Sequence, residues 1–339
     1  MTSFFRTAQL STALALTSVA AHAETVLNVA SWLPPAHPIV SDALTNYARK
    51  VEEASEGRVK LNILSAPLAP PPGQYDLAVN GVADIAYGVQ GYTPGRFKTA
   101  SITEGPFLGA SATVTSVAYW RTFEKMLKDA GEYDDVKVLA VFTHGPGEAF
   151  IKGRDLSDLS SLEGAKIRVG GGLVHEVATA LGSVPVEGPS SKTYELLSQK
   201  VADGIFFPPE SVNFFGLIPL VDQALFVEGG LYNTSFFVVM NKAKWESLSD
   251  EDKAAIDSVS GEALARQFGQ MWDRVDAEGI KAMDGKVTIH EATAEQMDVL
   301  REKLQPVIDA SLEDFSRSGL DGEQALDLLK SEIEKAAAE

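Results

Sequence analysis

Leu162-Glu163-Gly164-Ala165-Lys166-Ile167-Arg168-Val169-Gly170-Gly171-Gly172-Leu173-Val174-His175-Glu176-Val177 decides the fold class of this chain. The alternation from Lys166 to Val169 predicts a strand, the three glycines a tight turn, and the stretch after them a helix. Arg168 therefore leaves a strand end beside the donor-rich start of a helix, where a guanidinium is well placed to grip an anion. The competing reading is a surface or interdomain arginine paired with an acidic neighbour.

The same alternation of strand and helix runs outward in both directions. Val26 to Ser31 is an apolar strand that stops at Trp32-Leu33-Pro34-Pro35, and Ile39 to Ala54 has helical spacing. Arg58 to Leu64 alternates as a half-buried strand should. Pro67 to Pro72 forms a stiff loop, Gln74 to Asn80 a short helix, and Val82 to Tyr87 a strand broken at Gly88. Ala112 to Ala130 predicts a helix and Val136 to Phe142 a strand, with His144-Gly145-Pro146-Gly147 as a turn. Further strands follow near Val184, at Gly204 to Phe207, and at Thr234 to Met240, the last apolar enough to be buried on both faces. Helices are expected over Lys192 to Val201, Met297 to Phe315 and Gly322 to Ala338. Short connections between alternating elements imply parallel sheets covered by helices. Ser249 to Met283 reads as one amphipathic helix capped by Ser249. At 1.5 Å per residue it would run about 50 Å, enough to lie across two domains.

Met1 to Ala23 carries Arg6, an apolar small-residue stretch and the ending Ala21-His22-Ala23. That is the pattern of a secretory signal, with cleavage expected after Ala23 and export to the periplasm. Cysteine is absent, so the fold uses no disulfide and thiol catalysis is excluded. The net charge of −18 disfavours nucleic acid and anionic membranes as partners. An acidic surface still permits an anionic ligand, because the local field of a cleft can oppose the net charge.

Catalytic and cofactor signatures are weak. No histidine pair has zinc spacing, and there is neither a nucleophile elbow nor a Walker loop. Gly170 to Gly172 imitates the start of a dinucleotide fingerprint, but His175 stands where its third glycine belongs. Carboxylate pairs such as Glu52-Glu53 and Asp250-Glu251-Asp252 fall on predicted solvated helix faces, and Asp84 suits a backbone-bonding turn role. No cofactor and no metal site is expected, and the inventory favours a binder over an enzyme.

Three further stretches carry a resemblance. They are Gly81-Val82-Ala83-Asp84-Ile85, Pro106-Phe107-Leu108, and the run from Tyr194 to Gly204. Together with Leu162 to Val169, in this order, the chain resembles the solute-binding proteins of TRAP (tripartite ATP-independent periplasmic) transporters. The resemblance implies an α/β fold like that of type II periplasmic binding proteins: two α/β domains, hinge-crossing strands and a long bridging helix. The division expected is residues 24–143 plus about 234–265 for one domain, and 144–233 plus about 266–339 for the other. The resemblance also implies a ligand cleft between them, an organic acid as ligand, and partners in the small and large permease subunits in the membrane. The family's carboxylate-binding arginine matches Arg168.

Two departures narrow the ligand. Thr143 to Glu148 lacks the second arginine many members carry, and Asp203-Gly204-Ile205-Phe206-Phe207-Pro208 is less polar than the family's pattern. Both favour a monocarboxylate with an apolar or aromatic part over a dicarboxylate. Trp32, Tyr87, Tyr92 and Phe207 are candidate flat walls, with core packing as the alternative for each. Gln90, Glu210 and Asn233 are candidates for reading a hydroxyl, keto or amino group, and His144 either donates to the ligand or caps its turn. Glu148 and Glu210 among aromatics also leave a zwitterion open. The other function classes are an exported enzyme on a bilobal scaffold and a sensory receptor for a membrane kinase.

Overall fold

The computed structural model describes residues 24–109 and 111–339; the signal sequence expected over 1–23 lies outside them. Among the described residues eleven strands form two sheets, one per lobe. The first sheet takes β1 (Thr25–Ala30), β2 (Val59–Ile63), β3 (Ile85–Val89), β4 (Val136–Thr143) and β10 (Ser235–Asn241), in the order β2-β1-β3-β10-β4. The second takes β5 (Glu148–Ile151), β6 (Lys166–Val169), β7 (Val184–Glu187), β8 (Gly204–Phe207), β9 (Gln223–Phe226) and β11 (Thr288–Glu291), in the order β11-β9-β5-β8-β6-β7.

The sheets are mixed, not purely parallel as the alternation implied. β10 runs antiparallel to β3 and β4, and β5 antiparallel to β8 and β9. Both exceptions are strands that the chain enters on crossing from the other lobe, so they run against strands built by local strand–helix–strand units. The crossings lie side by side. His144 N–H donates to the Thr234 carbonyl at 3.3 Å, and Gly147 exchanges bonds with Tyr232 and Leu231 at 2.9 Å each. This two-stranded ribbon is the hinge.

The helix expected over Ser249 to Met283 is two helices, Asp250–Val259 and Glu262–Met283. Ser249 does cap the first, accepting from Asp252 N–H at 3.1 Å. The break comes at Gly261, whose φ of +62° leaves the helical region and whose N–H goes to the Leu139 carbonyl at 2.7 Å instead. A tertiary bond replaces a helical one there. The 22-residue helix Glu262–Met283 packs on Ala112–Lys125 of the first lobe and on Pro209–Phe214 of the second. Two glycines fasten it. A Cβ on Gly269 would lie 2.5 Å from Thr113 Cα, and one on Gly279 would lie 2.4 Å from the Pro209 carbonyl oxygen. Only glycine allows either approach.

The expected division puts residues from about 266 to 339 with the second domain; the C-terminal helix Gly322–Ala337 packs on the first. Its Ala325 and Leu329 share a core with Tyr119 and Phe123 of Ala112–Lys125. Its apolar face finds a matching one there, whereas Ala294–Ser316 lays Leu300 and Leu304 into the second-lobe core with Ile167 and Val177.

Candidate functional site

Between the lobes lies a cleft of about 510 Å³, mouth included. Its second-lobe wall is made by the carboxyl ends of β6, β7 and β8, where the turns of parallel units converge. Arg168 emerges from β6 and is only 1 % exposed. Its Nε and Nη2 both donate to the Gly188 carbonyl, at 2.9 and 2.6 Å, just past β7. The guanidinium carbon sits 4.4 Å from the centre of the Phe207 ring at the end of β8. Nη1 makes no hydrogen bond to a described residue. Burial lowers the pKa of Arg168, opposed by Tyr92 and Tyr232, yet a guanidinium starts too high to lose its charge at neutral pH.

Among the described residues that line the cleft, no other is charged at neutral pH. Burial pushes His37 down to about 3 and His144 down to about 4. The cleft therefore presents one cation to its occupant, held rigidly, and suits one anionic group.

Of the nine candidate residues, Arg168, Trp32, Tyr92, His144 and Phe207 line this cleft. Tyr92 accepts a hydrogen bond from Ser190 N–H at 2.9 Å, which ties the first lobe to the loop after β7. His144 points a ring nitrogen back at the Gly145 carbonyl, so part of its polarity is spent on the hinge turn.

The other four are not among the residues that line this cleft. Tyr87 is fully buried in β3, sharing a hydrogen bond with Ser31 Oγ at 2.9 Å, and backs Trp32 with ring centres 6.2 Å apart. Gln90 has its amide consumed by Tyr133 and by Tyr119, the latter donating at 3.0 Å. Asn233 Nδ2, in the amide orientation that satisfies both ends, donates to the carbonyls of His144 and Gly145 at 3.2 and 3.0 Å. It braces the hinge. Glu210 lies behind the wall, accepting from Ser211 Oγ at 2.8 Å, and burial raises its pKa to about 7. Loop position alone does not say which way a side chain turns.

Sequence reasoning passed over His37, Ser190, Phe215, Tyr232 and Trp272, all of which line the cleft. Ser190 was within reach, since it follows the strand predicted near Val184. Trp272 sits in a helical stripe whose spacing signals only core. Several polar atoms here are buried without a partner: Trp32 Nε1, Trp272 Nε1, Ser190 Oγ and Glu210 Oε1. Buried polar groups nearly always find partners, so their concentration around one cleft marks it as built to receive polar groups from outside the chain. Among the described residues no group of three His, Asp or Glu side chains is arranged to hold a metal ion.

Two lobes on a crossing ribbon, a bridging helix and a buried arginine in the cleft define a solute receptor of the periplasmic-binding type. The model of the bacterial extracellular solute-binding protein family 7 (DctP) matches residues 29–314, and the chain belongs to that family. It is 31 % identical over 327 residues, 96 % of each chain, to a Comamonas testosteroni protein named "Outer membrane transporter protein TsaT". A TRAP periplasmic solute-binding protein from Bordetella bronchiseptica, solved with bound (R)- and (S)-mandelate, is 36 % identical with a TM-score of 0.89, over 92 % of this chain and 99 % of that one. A TRAP solute-binding protein from Rhodoferax ferrireducens T118, solved with copurified benzoate, is 29 % identical with a TM-score of 0.87, over 93 % and 99 %. A marine metagenome TRAP protein specific for aromatic acids, solved with metahydroxyphenylacetate, is 34 % identical with a TM-score of 0.87, over 92 % and 99 %. Members of this family are solute receptors and not enzymes, and they serve TRAP permeases. No helix among the described residues is long and apolar enough to cross a membrane.

Proposed function

We propose that this chain is an exported receptor that closes on a small aromatic monocarboxylate, holds its carboxylate on Arg168, and delivers it to TRAP membrane subunits. Export follows from the signal sequence over 1–23 with cleavage after Ala23. The observation that carries the ligand class is a single buried guanidinium backed by Phe207, in a cleft whose other walls are Trp32, Tyr92, Phe215 and Trp272. Nη1 is left for the anion while Nε and Nη2 are already held by Gly188, and the rings supply flat apolar area for an aromatic body. Mandelate and benzoate in similar proteins support the same class. Among the described residues the cleft wall carries no second cation for a dicarboxylate.

Closure follows because an occupant touching both lobes favours the closed form by its differential affinity. A calorimetric screen of benzoate, mandelate, phenylacetate and succinate tests the reading. The aromatic acids are expected to bind and succinate not to. Tight succinate binding with no response to the aromatic acids would overturn it. Recovery of the bound acid unchanged after incubation separates this reading from an exported enzyme.

A further inference from the structure

The cleft has a second polar point, separated from Arg168 by a ring wall. Arg168 lies over Phe207, Phe207 stacks on Phe215 with centres 6.0 Å apart, and Phe215 lies 6.0 Å from the His37 ring. His37 Nδ1 accepts from Ile39 N–H at 3.2 Å, so the neutral ring carries its proton on Nε2. That Nε2 faces Glu210 Oε1 across 3.7 Å, too far for a direct hydrogen bond. Both side chains are 3 % exposed. Glu210 Oε1 has no partner, its other oxygen being taken by Ser211 Oγ. A donor and an acceptor thus stand side by side on two buried side chains, and neither atom has a hydrogen bond to a described residue. The gap meets the cleft through His37 and Ser211, which line it.

Resting on the aromatic-acid reading above, we propose that His37 and Glu210 form a distal subsite selecting a neutral hydroxyl on the occupant's ring. A hydroxyl accepts from Nε2–H and donates to Oε1, satisfying both atoms at once. An ammonium offers His37 no acceptor. An unsubstituted ring leaves both atoms unpaired, which a buried site penalises. Burial keeps His37 neutral at neutral pH, so Nε2 remains its only ring donor. The preferred substrate class is therefore a ring-hydroxylated aromatic acid, with the carboxylate and the hydroxyl at opposite ends of a flat body.

Calorimetry on the mature protein with benzoate, 3-hydroxybenzoate, 4-hydroxybenzoate and 4-(aminomethyl)benzoate tests this. At least one hydroxybenzoate is expected to bind about tenfold or more tightly than benzoate. In His37→Phe, and independently in Glu210→Leu, that ratio should collapse to within about twofold. Circular dichroism and melting identify whichever variant folds, and the wild-type ratio stands without either. Equal binding of benzoate and both hydroxybenzoates overturns the subsite while leaving the aromatic-acid reading in place. So does a preference for the aminomethyl acid, or a ratio that survives substitution. If none of the four acids binds, the aromatic-acid reading fails and the subsite fails with it.

Discussion

The Arg168 guanidinium lies 4.4 Å over the Phe207 ring, with two of its nitrogens already committed to the Gly188 carbonyl. The fork is therefore fixed before any ligand arrives, and little rotamer entropy is lost when it binds. Removing one partner of a buried charge pair costs about 2–5 kcal/mol. Arg168→Ala is expected to weaken binding of an aromatic acid by that amount in calorimetry. Arg168→Lys should fall short of wild type too, because an ammonium neither forks to Gly188 nor stacks flat on Phe207. Without ligand, Arg168→Leu should melt no lower than wild type, since it removes a desolvated charge.

Gly91 of the first lobe meets Gly171 of the second at the cleft. A Cβ on Gly91 would lie 2.9 Å from the Gly171 carbonyl oxygen, closer than real contacts. Gly91→Val obstructs this approach, since Gly171 and Gly172 supply the atoms nearest to the added Cβ. Affinity should drop by about tenfold or more while the melting temperature of the ligand-free protein holds. Small-angle scattering with saturating ligand should show a more extended particle than wild type.

Glu104 of the first lobe caps a helix of the second. The helix Leu173–Ala180 has Gly172 as its N-cap and so no cap of its own. Glu104 Oε2 accepts from Leu173 N–H at 3.2 Å, and Oε1 accepts from Ser235 Oγ at 2.6 Å. Losing a cap costs about 0.5–2 kcal/mol, and the Leu173 bond is the part of that cost that falls on contact between the lobes. Glu104→Ala should raise the dissociation constant correspondingly, chiefly through a faster off-rate in stopped-flow displacement.

Burial raises the pKa of Glu210 to about 7 from an ordinary value near 4.5. Between those values the folded state holds a proton that the unfolded chain has released, so this group's contribution to stability is fullest below 4.5. It is lost as pH rises through 7, by an amount on the order of 3 kcal/mol. Glu210→Gln, which cannot ionise, should gain on wild type in melting temperature as pH rises from 4.5 to 8. A gap that stays constant across that range would show that Glu210 keeps an ordinary pKa.

Strand–helix alternation was legible wherever one element met one face. Lys166–Val169, Val184–Glu187, Gly204–Phe207 and Ser235–Asn241 lie where the pattern puts strands. The short β5, β9 and β11 were not, since Glu148–Ile151 follows a Gly-Pro-Gly turn and four residues carry too little periodicity to be read. The helical stretch from Ser249 to Met283 and its capping serine were legible, but Ser249 caps the short Asp250–Val259 and the bridging helix is the shorter Glu262–Met283. The break at Gly261 was not legible, because the group that takes the Gly261 N–H is the Leu139 carbonyl, far away in sequence.

Sequence by itself determined the α/β class, the family, and Arg168 as the buried cation of the cleft, because these rest on local periodicity and on a motif of adjacent residues. Tertiary structure alone decided which neighbours join that arginine. Gln90 and Asn233 sit on the right loops but spend their amides on Tyr119 and the hinge carbonyls. His37, Ser190 and Trp272 come from segments more than eighty residues apart and meet only when the lobes pack. A side chain's direction is fixed by which partner satisfies it, and those partners are set by packing across the cleft, which no local pattern encodes.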